Sequence, residues 1–298
     1  MDVLDLHRAN WPYGVDVSRL TKTSNERCQL VAEEIMYSSK LVDKIMAEKV
    51  FTLTSVRHPV QHFISLFRQM KIQEVVQRVT SRKGLTENQA MEIFLKDWED
   101  FQRAYATDEN IGIGEKLHLG MIRLNLQSFS LGITDVMSLE DVVHRLNEMN
   151  LIVVFERFDE SMVILREKLC CSLDDVAYRK LQNHETSSTV YVPEELQRLI
   201  INFNKIDAIF YQHAVKRLDE EMSAFDNFEQ LLGIYRAELK KFEAKCTDPN
   251  FPAQFRNKIC PPVEGDQVET FVNDVRKEQK LILLDKLRRR FSKKHLHS

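Results

Sequence analysis

SVRHPVQHFISLF (55–67), read together with the run before it, VFTLTSV (50–56), fixes the first element of the fold. The run is β-branched and aromatic, the composition of a buried strand. His58 precedes a proline and so favours an extended backbone, while Pro59 suits the first turn of a helix, where its missing N–H costs nothing. From there Val60, Phe63, Phe67 and Met70 recur three or four apart as one apolar stripe, with Gln61, His62, Ser65 and Arg68 off it. The unit is strand, turn, helix, and the helix is expected to run to about Arg78.

Such a turn offers free backbone N–H groups, and a guanidinium beside them can grip two phosphate oxygens at once. At about 1.5 Å rise per residue, Ser65 stands roughly 9 Å along the helix from Pro59. A ligand touching both Arg57 and Ser65 must therefore lie along the helix flank. Spacing alone leaves two readings open: a phosphate site, or a solvated strand-end arginine with an unrelated helix hydroxyl.

Working outward, the 298 residues are 43% hydrophobic and 29% charged, enough to bury a sizeable core. Eight glycines and seven prolines leave room for long helices. A net charge of −3 gives no nucleic-acid footprint. No apolar stretch is long enough to span a membrane, and MDVLDLHRANWPYG at the start lacks the basic-then-apolar pattern of a signal peptide. The five cysteines, Cys28, Cys170, Cys171, Cys246 and Cys260, form no CxxC pair, and no metal site is expected. Cys246 and Cys260 flank a loop-like stretch that a disulfide would staple in an oxidising compartment; five reduced thiols are the other reading.

Residues 31–48 look helical in part. Glu87 to Tyr105 reads as one amphipathic helix, and Ser138 with Asp141 opens another through a capping-box variant. LIVVF (151–155) is the second clear strand, followed by a helix begun near Asp159. SLDDVAYRKL (172–181) opens with a serine cap. Val192 to Cys246 is nearly all helix with a break at 224–227. The segment from Val268 turns basic at Lys286, Arg288, Arg289, Arg290, Lys293 and Lys294, most simply a solvated face. Two strands, each followed directly by a helix, favour an α/β layer over a bundle.

The segment VVFERFDESMVILREKLCCSLDDVAYRKL (153–181) resembles the galactose-3-O-sulfotransferase family, through Glu156, Phe158, Asp159, Glu160, Ser161, Leu169, Cys170, Leu173, Asp175, Val176, Tyr178, Lys180 and Leu181. SFSLGI (128–133) is similar to the family's F-D-L-G stretch, and Asn204, Asp207 and Tyr211 match its N-x-x-D-x-x-x-Y helix. The likeness covers roughly residues 28–250. Thr54, Arg57, Pro59, Phe63, Ser65 and Phe67 fit the family's arginine segment. The resemblance implies that Arg57 and Ser65 bind the 3′-phosphate of 3′-phosphoadenosine 5′-phosphosulfate (PAPS). It also implies a P-loop-like sulfotransferase fold, with a parallel sheet flanked by many helices and a helical C-terminal part. The implied activity is sulfuryl transfer to the 3-hydroxyl of a terminal galactose on glycolipid or glycoprotein, at the Golgi membrane, with no metal. A catalytically inactive relative that binds nucleotide or glycan is the second reading.

The chain also departs from the family pattern. The family's K-T-x-S-S-T-like loop for the 5′-phosphosulfate has only a faint echo at Lys22, Thr23 and Ser24, which we read as a decoy. Its active-site histidine aligns with Glu34, the candidate base. Gln182 replaces its asparagine, and its membrane anchor has no counterpart. The expected organisation is a sulfotransferase domain over 1–250 and a linker with a basic helix over 251–298. Without a preceding strand, the Arg57 strand is expected to carry an unpaired edge.

Overall fold

The computed structural model describes residues 36–45, 50–107, 125–134, 137–178, 191–248 and 250. Strand β1 (Leu53–Val56) pairs in parallel with β2 (Leu151–Val154), with Leu53 opposite Leu151 and Val56 opposite Val154. Every residue of β2 is buried, as its unbroken aliphatic run requires. β1 is buried fully only at Val56, and Leu53 remains 50% exposed. The strand is shorter than the expected 50–56. Thr52 leaves the ladder because its N–H donates to Asn150 Oδ1 (2.7 Å), while its carbonyl accepts from the N–H groups of Asn150 and Leu151.

Helix α1 (Ser39–Ile45) precedes β1, and α2 (Pro59–Gln69) follows it with Pro59 in its first turn. His58 is extended at φ −51° and ψ 127°, as the following proline dictates. The helix does not continue to Arg78. Lys71 adopts the left-handed conformation at φ 51° and separates α2 from α3 (Ile72–Val79). The expected Glu87–Tyr105 helix is likewise two. Thr86 and Gln89 form a capping box that opens α4 (Glu87–Lys96), and Asp97 ends it before α5 (Trp98–Thr107).

A short helix α6 (Leu126–Ser130) and α7 (Leu139–Asn147) lead into β2, with the expected Ser138–Asp141 capping box at the start of α7. After β2 a 3₁₀ turn (Phe155–Arg157) feeds α8 (Phe158–Leu169). Ser172 does cap, together with Asp175, and a 3₁₀ turn (Leu173–Asp175) follows it; among the described residues, which run to 178, no α-helix continues from it. The C-terminal part is helical: α9 (Glu194–Phe203), α10 (Lys205–Ser223) and α11 (Phe228–Thr247). The break at 224–227 is present, and Asn204 makes a second one.

Two apolar clusters hold these elements. One surrounds the sheet and joins β2 to residues of α7, α8, α10 and α11, with Phe210 and Tyr235 fully enclosed. The other gathers α2, α3, α4 and α9 around Phe63, Phe67 and Phe94, whose rings meet at 5.9–6.3 Å. The apolar stripe read on α2 therefore faces this second cluster, and its polar flank is left for the site.

Candidate functional site

The carboxyl ends of parallel strands are where α/β sheets bind ligands, because the turns into the following helices converge there. Here that position holds Arg57 and His58 after β1, opposite Phe155 and Glu156 after β2. The register carries across: the Arg57 guanidinium lies over the Phe155 ring at 4.9 Å from its centroid, and the His58 N–H donates to Glu156 Oε1 at 2.8 Å.

The turn is less open than expected. Gln127 Oε1 accepts from the Arg57 N–H at 2.7 Å, and Gln127 Nε2 donates to the Arg57 carbonyl at 3.0 Å. With the His58 N–H on Glu156 and no N–H on Pro59, the amides expected to be free at the turn are engaged by side chains. Only the first-turn amides of α2, at Val60 and Gln61, have no intrahelical acceptor. Among the described residues β1 pairs with β2 alone and its other edge has no strand neighbour, as expected; just past its end the Gln127 amide takes up the N–H and carbonyl of Arg57.

Gln127 is itself held. Its N–H donates to Asp207 Oδ2 (3.2 Å), and Ser128 donates to Asp207 Oδ1 through its N–H (2.8 Å) and its hydroxyl (2.5 Å). Asp207 is completely buried, and burial raises its carboxyl pKa against the pull of these donors. Asn204 Oδ1 takes the Asn125 N–H, and Asn125 Oδ1 takes the Ile206 N–H, so α10 and α6 cap one another. Tyr211, one turn beyond Asp207, meets the His58 ring edge-on at 5.1 Å, and burial together with the nearby Glu156 charge raises its pKa.

The Arg57 guanidinium has no hydrogen bond or ion pair among the described residues, and its Nε is buried without a partner. Ser65 is half-buried on the second turn of α2, its hydroxyl also without a partner among the described residues. Between them stands His62. Burial, with the Arg57 charge adding to it, lowers its pKa to about 4, so the ring is neutral at physiological pH. His62 precedes Ser65 by three residues and so shares its helix flank. Arg57, His62 and Ser65 thus run along one side of α2. Glu34 and the Lys22–Ser24 segment lie outside the described residues, as does the basic tail. Among the described residues no cluster of three His, Cys, Asp or Glu side chains could hold a metal.

A family model described as galactose-3-O-sulfotransferase matches residues 8–262. The chain belongs to the galactose-3-O-sulfotransferase family. Galactose-3-O-sulfotransferase 3 of Mus musculus is 28% identical over 193 residues, 62% of this chain and 41% of that protein. Galactosylceramide sulfotransferase of Bos taurus is 33% identical over 86 residues, 29% of this chain and 20% of that protein. Galactose-3-O-sulfotransferase 2 of Mus musculus is 28% identical over 165 residues, 49% of this chain and 42% of that protein. The chain thus spans at most 42% of the length of these relatives. No solved structure matches.

Several residues that carry the family likeness are internal ties. Asp159 accepts from the Tyr178 hydroxyl (2.7 Å) and from Arg236 Nε (2.9 Å), and the Phe158 and Tyr178 rings pack edge-on at 4.7 Å. Ser161 Oγ accepts the Val154 N–H at 3.1 Å and donates to the Arg157 carbonyl at 3.0 Å, closing the strand-to-helix turn. The glycine of the family's F-D-L-G stretch, Gly132, sits at φ +71°, and a Cβ there would meet the Tyr37 carbonyl oxygen at 2.9 Å. Gln127 and His62, by contrast, carry no family signal in our reading of the sequence. Their importance emerges only from what they touch.

Proposed function

We propose that this chain carries the 3′-phosphate grip of a sulfotransferase that moves sulfuryl from PAPS to the 3-hydroxyl of a terminal galactose on glycolipid or glycoprotein. The observation that carries the reading is Arg57, a guanidinium at the carboxyl end of a parallel strand, its Nε buried and unpartnered among the described residues. Leaving such a donor unpaired is unfavourable, and a phosphate would satisfy it with charge-assisted bonds. The Arg57 backbone is held by the Gln127 amide and its guanidinium rests over the Phe155 ring at 4.9 Å, so the cation stands at the turn without a ligand. Ser65 adds a hydroxyl on the same flank, and neutral His62 offers a ring nitrogen without a competing charge.

PAPS would supply an activated sulfuryl group. The chain's own residues hold the nucleotide's 3′ end still, orient it along α2, and leave the acceptor hydroxyl's proton to a base, for which Glu34 is the candidate. The domain is assigned to 1–250, with 251–298 a linker and basic helix. A Golgi-lumenal setting, by analogy with the family, agrees with Cys246 being disulfide-bonded to a residue outside the described ones.

The test is titration calorimetry with adenosine 3′,5′-bisphosphate and with adenosine 5′-monophosphate, which lacks the 3′-phosphate. The bisphosphate is expected to bind tighter by about tenfold or more, an advantage that Arg57→Ala abolishes. Equal binding of the two nucleotides overturns the reading. Transfer is assayed with labelled PAPS and galactosylceramide or lactose; tight binding with no transfer favours the inactive, nucleotide-binding relative.

A further inference from the structure

Phe155 breaks the burial pattern of the strand it follows. Leu151 to Val154 are all buried, yet Phe155, the next residue, is 53% exposed. It is not a stray surface apolar group. The Arg57 guanidinium covers one side of the ring at 4.9 Å, the Phe158 ring meets it at 6.4 Å in an edge-on arrangement, and the remaining surface is open. It sits directly across the parallel pair from Arg57, at the end of the sheet where ligands bind. An open aromatic surface beside a phosphate-gripping cation matches the two halves of a nucleoside phosphate: a charged group and a flat π-system a few ångströms apart.

We propose that Phe155 is the platform on which the base of a 3′-phosphorylated adenosine stacks while Arg57 holds its phosphate. The inference rests on the 3′-phosphate reading of Arg57 and adds a second contact to it. Three features of the site favour a base over another flat or apolar ligand. The open surface adjoins a cation, which polarises the stack and suits an electron-rich ring. The Gln127 amide holds the Arg57 backbone, and the guanidinium itself rests over the ring at 4.9 Å from its centroid, so cation and platform stand side by side. Glu156, next in the chain, accepts the His58 N–H at 2.8 Å, so one oxygen of its carboxylate is already engaged. An aromatic platform holds a base by its face and reads no edge, so Phe155 supplies affinity for the nucleoside, and discrimination between bases falls to other groups.

The experiment compares two ligands on the full chain by calorimetry: adenosine 3′,5′-bisphosphate and the abasic 1-deoxyribose 3,5-bisphosphate. Phe155→Leu is expected to weaken the adenosine ligand by about tenfold and to leave the abasic one within about twofold, the size of one lost base stack. Phe155→Trp, which retains a π-face, is expected to keep wild-type affinity for the adenosine ligand. A Phe155→Leu variant that weakens both ligands equally overturns the proposal and reduces Phe155 to a prop for Arg57. So does one that weakens neither. Arg57→Ala separates the two levels: loss of both ligands supports the phosphate grip whatever Phe155 does, and unchanged binding of both removes the grip itself. A thermal melt of Phe155→Leu within about 2 °C of wild type assigns any loss to the site.

Discussion

Gln127 pairs with both backbone groups of Arg57, donating to its carbonyl and accepting from its N–H, at 3.0 and 2.7 Å. The pairing has the form of a β-ladder rung. Thr52 turns its carbonyl toward β2, and alternation along an extended chain sends the groups of Arg57 to the opposite edge. One side-chain amide, seventy residues away in sequence, thus takes the place of a strand at the single position where the site needs a fixed backbone.

Replacing Gln127 with leucine keeps most of the volume and removes both bonds. The expected loss is about 1–3 kcal/mol of stability, because the Arg57 N–H and carbonyl are left unpaired in a partly buried place. Binding of adenosine 3′,5′-bisphosphate should fall further than the melt alone accounts for, since the guanidinium loses its anchor. Hydrogen exchange at the Arg57 amide reports the first effect, and calorimetry on the fully folded variant reports the second. An unchanged exchange rate would count against the clasp.

Gly132 and Gly84 offer a controlled pair. Both have φ +71°, but a Cβ at Gly132 meets the Tyr37 carbonyl at 2.9 Å, whereas at Gly84 nothing lies within 4 Å. Gly84→Ala should cost about 1 kcal/mol, the strain of a left-handed alanine alone. Gly132→Ala should cost clearly more, because the segment held by the Tyr37 N–H to Ser130 carbonyl bond (2.7 Å) must shift as well. Equal losses in denaturant melts would mean that Tyr37 moves aside freely.

Much of this was legible in the sequence, and for local reasons. The run before Arg57 is a strand by its β-branched and aromatic composition and the run at 151–154 by its continuous aliphatic character, and Pro59 starts its helix because its ring dictates the backbone there. The breaks at Lys71 and Asp97 were not legible. A left-handed lysine has no compositional mark, and its cost is met by the packing of α3 and α4 against α2. The site divided in the same way. Arg57 stands at a turn that local pattern reveals. Its clasp by Gln127, its cover by Phe155 and the burial of His62 are contacts across the fold, which no periodicity encodes. The family motif pointed to the right region, but Asp159, Ser161 and Asp207 proved to be ties within the structure.

His62 gives the site a proton switch whose sign can be worked out. Its folded pKa is about 4, below the usual 6.5, so between these values the unfolded chain binds more protons than the folded one. Stability therefore falls as pH drops from about 6.5 to 4, by up to roughly 3 kcal/mol. His62→Gln should flatten that slope in melts across the window. An anion on Arg57 offsets one of the two causes of the depression, so binding should raise the His62 pKa and draw in protons. Calorimetry at pH 5 in buffers of different ionisation enthalpy should reveal proton uptake on binding adenosine 3′,5′-bisphosphate, and Arg57→Ala should abolish it.

Asp207 titrates in the opposite sense, which makes it separable from His62 in the same experiment. Burial is the larger influence and raises its pKa above the value in the unfolded chain, so here the folded state holds its proton longer. Its contribution to stability consequently declines as pH rises through the interval between the unfolded and folded pKa values, whereas that of His62 grows with pH through its own window. Asn at this position cannot titrate, and its amide presents an N–H₂ toward backbone and hydroxyl donors that a carboxylate accepts from Gln127 and Ser128. Asp207→Asn should thus be less stable at every pH, with the deficit against wild type greatest on the acid side and shrinking as pH rises. Because Asp207 holds the Gln127 N–H and Gln127 holds Arg57, the variant should also weaken adenosine 3′,5′-bisphosphate binding without touching the ligand. A deficit that grows with pH would show that the donors around Asp207 outweigh its burial. Unchanged nucleotide affinity in a folded Asp207→Asn protein would show that α6 holds Gln127 without help from α10.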